Sequence, residues 1–222
     1  MRLWYRFCKG FCQLTLCSIH VGRVFHRHHV PLTGPALLVS NHQSFFDPMI
    51  VGYGLSREVD YMARDTLFRN ALFGRLISSV NAFPVKRDEI DIAAIKETFR
   101  RLKAGRLVLL FPEATRTFDG KIREFKPGIA LLARKAKVPV VPVVVDGAFE
   151  CWPRNAILPR PMVPICAAFG QPFYPDEFMQ YPPEEFVRLI HGRMIELQNR
   201  VRLQVGRKPY DYSVNENGNR SR

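Results

Sequence analysis

The chain has 222 residues, enough for one domain with a sizeable core and too few for two comfortable ones. Its content of 47% hydrophobic and 24% charged residues is that of an ordinary globular protein and argues against a fibrous or wholly disordered chain. The charge balance is unusual: 33 Lys and Arg against 20 Asp and Glu leave a formal +13, which favours a polyanionic partner such as nucleic acid, an anionic membrane or a phosphorylated substrate.

Residues 1–29 are predicted as one basic amphipathic helix. At 100° per residue, Arg2, Arg6, Lys9, Gln13, His20 and Arg27 share a narrow sector, and Leu3, Phe7, Phe11, Leu14, Val21 and Phe25 gather opposite them. Leu16 and Val24 break the polar sector. The first acidic residue of the chain is Asp47, so the segment is purely cationic. It is either a surface helix packed on its own domain or a helix lying in an anionic membrane interface. Lys9, Arg23 and the 26–29 histidine stretch leave it well short of the ~20 apolar residues of a spanning helix.

Beyond this point strands and helices alternate. Strands are predicted at Ala36–Ser40, Val59–Ala63, Ala82–Val85, Leu107–Phe111, Val140–Val145 and Val163–Phe169. Helices are predicted at Pro48–Leu55, Thr66–Ser79, Glu89–Ala104 with Asp88 as its cap, Gly128–Lys137, and Pro182–Gly206. The prolines of Val138–Val143 mark the start of a buried strand. The tail from Arg207 to residue 222 is polar and expected to be loose. The pattern predicts a single α/β domain over 30–206, with a mostly parallel or mixed sheet flanked by helices and a helix ahead of it. Ligands of such sheets sit at the carboxyl ends of the strands.

Two segments fall there. Asn41-His42-Gln43-Ser44-Phe45-Phe46-Asp47-Pro48 follows the first of these strands. On an ideal helix His42 and Asp47 would stand about 140° apart, so they face each other only across a turn. Asp47 could simply cap the helix that Pro48 opens. Alternatively the two form a dyad in which His42 takes a proton from a hydroxyl and Asp47 fixes its tautomer. The second segment is Phe111-Pro112-Glu113-Ala114-Thr115-Arg116-Thr117. The planar fork of Arg116 and the hydroxyls of Thr115 and Thr117 suit phosphate, although Glu113 and Arg116 could form a local ion pair. Phe83-Pro84-Val85-Lys86-Arg87 places two further cations after a short strand. The five cysteines, Cys8, Cys12, Cys17, Cys151 and Cys166, are odd in number and read as reduced thiols facing a cytosolic compartment. A metal site at Cys8 and Cys12 would need two more ligands that the sequence does not place. No zinc spacing or aromatic-interleaved basic motif supports nucleic acid as the partner.

In this order, Asn41–Asp47, Phe83–Arg87, Phe111–Arg116 and Val138–Pro142 resemble the four motifs of the bacterial 1-acylglycerol-3-phosphate acyltransferases, over residues 36–145. The resemblance implies direct transfer of a fatty acyl group from acyl-CoA or acyl carrier protein to the hydroxyl of a lysophospholipid at an anionic membrane surface. It implies an enzyme on the cytoplasmic face of the membrane that needs no metal or tightly bound cofactor. His42 would activate the hydroxyl, and Glu113, Thr115, Arg116 and Arg87 would hold the acceptor's phosphate end. The motifs do not separate lysophosphatidic acid from other lysophospholipid or amino-lipid acceptors. The residues agree: the sequence has no Gly-x-Ser-x-Gly elbow, and Ser44 lies too near His42 for an ordinary triad. Two departures stand out. The Phe83–Arg87 match is loose, and Ala114 replaces the usual Gly, which predicts that position 114 needs no positive φ.

Overall fold

The unbroken apolar runs become the centre of one sheet because both of their faces are covered. In the computed structural model, which describes residues 1–19, 22–86 and 91–213, the elements run α1 (Leu3–Ile19), β1 (Gly22–Phe25), β2 (Ala36–Ser40), α2 (Asp47–Tyr53), β3 (Val59–Arg64), α3 (Ala71–Ser79), β4 (Ala82–Val85), α4 (Ile92–Lys103), β5 (Leu107–Leu110), α5 (Gly128–Ala136), β6 (Val140–Asp146), α6 (Ala148–Cys151), β7 (Ile165–Phe169), α7 (Pro175–Phe178) and α8 (Pro183–Gln204). The strand order is β1-β7-β6-β2-β5-β3-β4. Every neighbouring pair is parallel except β6 with β7. The result is the mixed α/β sheet that the alternation predicts.

Side chains of β2 alternate between two cores. Leu37 and Val39 share a buried cluster with Phe186, Ile190 and Met194 of α8, while Ala36 and Leu38 belong to one with Ile50 and Val51 of α2. All five β2 residues are buried. Pro142 is tolerated inside β6 because a strand residue's N and O point the same way, and here they point past the β7 ladder, where Gly170 N donates to Pro142 O at 2.8 Å.

Four expectations are corrected. The first helix is described over Leu3–Ile19, and Gly22–Phe25 is not helix but an edge strand paired with β7. Gly22 disfavours a helix by about 1 kcal/mol, and a Cβ there would come within 2.9 Å of Tyr53 Oη. Residues 20 and 21 lie outside the described residues. The predicted helix over 66–79 splits, because Asn70 caps a new helix by accepting from Phe73 N at 3.0 Å. Asp88 lies outside the described residues, and the cap of α4 is Asp91, whose side chain accepts from Ala94 N at 2.9 Å. The tail is anchored through its first residues: Arg207 donates to Asp146, and Tyr212 Oη accepts from Ile122 N at 2.8 Å.

Helix α1 also directs part of its cationic sector at the domain while Arg6 stays exposed. Arg2 pairs with Glu58 and donates to Asn81 Oδ1, and Lys9 donates to Leu55 O. Tyr5 is buried, with its hydroxyl 2.8 Å from that of Tyr61. The side that packs on the domain is therefore partly polar, while Leu3, Phe7, Phe11 and Leu14 face outward, each more than 60% exposed. Among the described residues no helix is long and apolar enough to cross a membrane.

Candidate active site

The carboxyl end of β2 lies between those of β5 and β6, so the loops after these three strands converge. Asn41 sets the first loop. Its side chain donates to Val145 O at 2.9 Å and accepts from Val145 N at 2.7 Å, so the strand end is tied to β6. His42 is held at both backbone ends by the β5 loop: its N donates to Glu113 Oε1 at 3.0 Å, and its O accepts from Thr117 N at 2.8 Å. The Phe111 ring stacks on the imidazole with centroids 4.2 Å apart.

Asp47 closes the turn. Its Oδ2 lies 2.7 Å from His42 Nδ1 and also accepts from Gln43 N at 2.6 Å and Ser44 N at 2.8 Å. The carboxylate thus points back into the 42–44 turn, and capping of α2 is excluded as its role; the residue ahead of the helix is Phe46. Asp47 is fully buried, so the imidazole faces a carboxylate shielded from water. With Nδ1 committed, Nε2 is the atom left to act on a ligand, and His42 lines a groove of about 2580 Å³. Apolar residues such as Phe7, Phe11, Met49, Phe73 and Leu76 line the same groove.

Glu113 lies against the His42 backbone rather than beside Arg116. Burial pushes its carboxyl well above the usual carboxylate range, against the pull of the His42 and Arg123 backbone amides. The local Glu113–Arg116 ion pair does not form; Arg116 instead places its guanidinium 3.7 Å from the Phe45 ring centroid. Burial, and then the charge of Arg154, lower the Arg116 pKa. Thr115 and Arg116 line the groove, while Thr117 is buried and bonded to Asp119. Arg87 lies outside the described residues. Ala114 has φ +57, so the expectation that this position avoids the left-handed region is wrong. The turn requires the conformation and Ala bears its cost.

Other nucleophiles are poorly placed. Ser44 Oγ donates to Trp152 O at 3.2 Å, turned from His42. Burial pushes the Cys151 and Cys166 thiols up to about 11 and about 12, and raises Cys8 and Cys12 as well. These four cysteines are free thiols.

Three contributors were missed from sequence. Gln43 is buried, donates to Gly120 O at 2.7 Å and accepts from Phe149 N at 3.2 Å. Tyr212 donates to Gln198 Oε1 at 2.5 Å, and Gln198 donates to Gly120 O at 3.0 Å, so the chain end clamps the 117–122 loop. Arg154 donates to Thr115 Oγ1 at 3.3 Å. The position of Gln43 inside the first motif was a usable signal; the other two depend on the chain's return in space.

A buried His–Asp pair at the strand ends, beside an apolar groove and an arginine with no ion pair among the described residues, suits proton transfer to or from a ligand in that groove. The acyltransferase family model matches residues 23–146, more than half of the chain, and the chain belongs to that family. The 1-acyl-sn-glycerol-3-phosphate acyltransferase of Bacillus subtilis is 26% identical over 202 residues, covering 89% of this chain and 98% of that protein. The Streptococcus pneumoniae protein of the same name is 31% identical over 150 residues, 66% of this chain and 55% of that one. The coconut protein of that name is 27% identical over 72% of this chain, which spans 53% of it. The crystal structure of the 1-acyl-sn-glycerophosphate (LPA) acyltransferase PlsC from Thermotoga maritima shares the fold. Its TM-score is 0.73 over 87% of this chain and 79% of that one, at 23% identity.

Proposed function

We propose that this acyltransferase moves a fatty acyl group from a thioester, of coenzyme A or acyl carrier protein, to the free hydroxyl of 1-acylglycerol-3-phosphate, forming phosphatidic acid. The observation that carries the reading is the His42 Nδ1–Asp47 Oδ2 bond of 2.7 Å at the groove, beside Thr115 and Arg116. His42 Nε2 takes the proton of the acceptor hydroxyl as its oxygen attacks the thioester carbonyl. Asp47 holds the tautomer that leaves Nε2 free and stabilises the imidazolium. When the tetrahedral intermediate collapses, the C–S bond breaks and the leaving sulfur takes that proton back, so no acyl-enzyme forms.

Glu113 positions His42 through its backbone N–H, and Arg116 with Thr115 binds the phosphate; Arg87 is proposed to assist. The acyl chains occupy the apolar part of the groove. The outward face of α1, with Leu3, Phe7, Phe11 and Leu14, enters the membrane surface from which the acceptor comes. The enzyme works on the cytoplasmic face, where both thioester donors are made. The test is to count thiol freed, and identify the lipid made, with lysophosphatidic acid in vesicles and either acyl-CoA or acyl carrier protein. Stoichiometric thiol and phosphatidic acid are expected with at least one donor. No thiol with either donor would sink the reading.

A further inference from the structure

The acceptor's phosphate is joined to the reacting hydroxyl by a short tether of single bonds, so its binding groups must surround His42 closely. The loop after β5 supplies Thr115 and Arg116 from one side of β2. On the other side of β2 stands β6, and the chain leaving it reaches Arg154. Trp152, two residues earlier, fixes this loop against the His42 turn: its O accepts from Ser44 Oγ at 3.2 Å, and its indole packs on Phe46 and Phe45 with centroids 4.9 and 5.8 Å apart. Arg154 then donates to Thr115 Oγ1 at 3.3 Å, and its guanidinium carbon lies 5.2 Å from the Phe118 ring centroid.

Among the described residues neither Arg116 nor Arg154 forms a salt bridge with a carboxylate. The nearby Asp119 is occupied by Thr117 Oγ1 and Lys121 N. Two like charges that share one mouth of the groove, each braced on an aromatic ring, leave a repulsion that a bound dianion relieves.

Resting on the proposed acceptor, we infer that Arg154 joins Arg116 across the His42 turn as the second guanidinium of a cradle for the acceptor's phosphate monoester. Guanidiniums suit this task because each offers a planar fork to two phosphate oxygens. The donor also carries phosphates if it is acyl-CoA, but these lie at the far end of a long pantetheine arm from the thioester. A residue that touches Thr115 beside His42 therefore serves the acceptor.

The test compares the parent enzyme with Arg154→Gln and Arg154→Lys, varying lysophosphatidic acid at saturating donor, then acyl-CoA at saturating acceptor. A third arm uses 1-monoacylglycerol, which lacks the phosphate. Arg154 is exposed and outside both cores, so the variants should melt like the parent. Losing charge-assisted bonds to phosphate should raise the KM for lysophosphatidic acid on the order of 10-fold or more in Arg154→Gln, with partial recovery in Arg154→Lys. The KM for acyl-CoA and any turnover of monoacylglycerol should not move. An unchanged lysophosphatidic acid KM overturns the cradle. So does a rise confined to acyl-CoA, or an equal loss with monoacylglycerol. A parent enzyme that does not acylate lysophosphatidic acid at all would instead sink the acceptor assignment itself.

Discussion

Replacing Asp47 with Asn probes the site at its most constrained atom. Oδ2 accepts three hydrogen bonds, from His42 Nδ1, Gln43 N and Ser44 N, and the side chain is fully buried. A hydrogen bond to a charged group contributes about 1.5–3 kcal/mol and a neutral one about 0.5–1.5, so each of the three weakens by roughly 1 kcal/mol when the charge is removed. The new amide nitrogen falls where Oδ1 now has no partner among the described residues, adding about 1 kcal/mol or more. The total, roughly 4 kcal/mol or a little more, is below the reserve of about 5–15 kcal/mol of a typical domain, so Asp47→Asn should fold. Asp47→Ala is the poorer choice because it strands three buried donors. With no carboxylate left to stabilise the imidazolium, turnover should fall by on the order of 10²–10⁴. Thiol release measures the turnover, and a urea melt on the same sample measures the stability. A variant that melts cooperatively yet turns over near the parent rate would refute the dyad.

Four further outcomes follow from the geometry. Ala114→Gly should stabilise the protein by about 0.5–1 kcal/mol, since relief of a left-handed alanine outweighs the added freedom of the unfolded chain; a lower denaturation midpoint would contradict this. Because burial raises the Glu113 pKa, the folded state holds that proton more tightly, and this contribution is complete below the ordinary 4.5 and lost as pH rises towards the folded value. Glu113→Gln should therefore flatten the decline of stability above that pH, and parallel profiles would exclude the effect. Changing both Phe7 and Phe11 to Ser should weaken vesicle sedimentation at every salt concentration, each ring contributing up to about 1.5–3 kcal/mol of burial. By contrast Arg2→Gln should lower the melting temperature, because Arg2 is bonded to the domain; unchanged sedimentation of the double variant would rule out the membrane face.

What the sequence disclosed follows from how locally each feature is determined. Strands β2, β5 and β6 were legible because burial on both faces leaves unbroken apolar runs. The His42–Asp47 pair was legible because one turn contains both residues. The edge strand β1 was not, since four residues inside a basic, helix-patterned stretch carry no signal stronger than Gly22. The orientation of α1 was hidden for a related reason: Arg2 and Lys9 of its cationic stripe have partners, Glu58, Asn81 and Leu55 O, that only the folded domain brings near. Position 114 misled because composition does not reveal φ, and a turn can impose the left-handed region on alanine. Arg154 and Tyr212 reach the site through sheet order and chain return, which no spacing rule encodes.

The central claim is that His42 activates the acceptor hydroxyl, and His42→Ala with thiol release as the readout tests it most directly. The account predicts a folded protein whose turnover falls by on the order of 10²–10⁴. A folded His42→Ala enzyme that frees thiol at near the parent rate would contradict it.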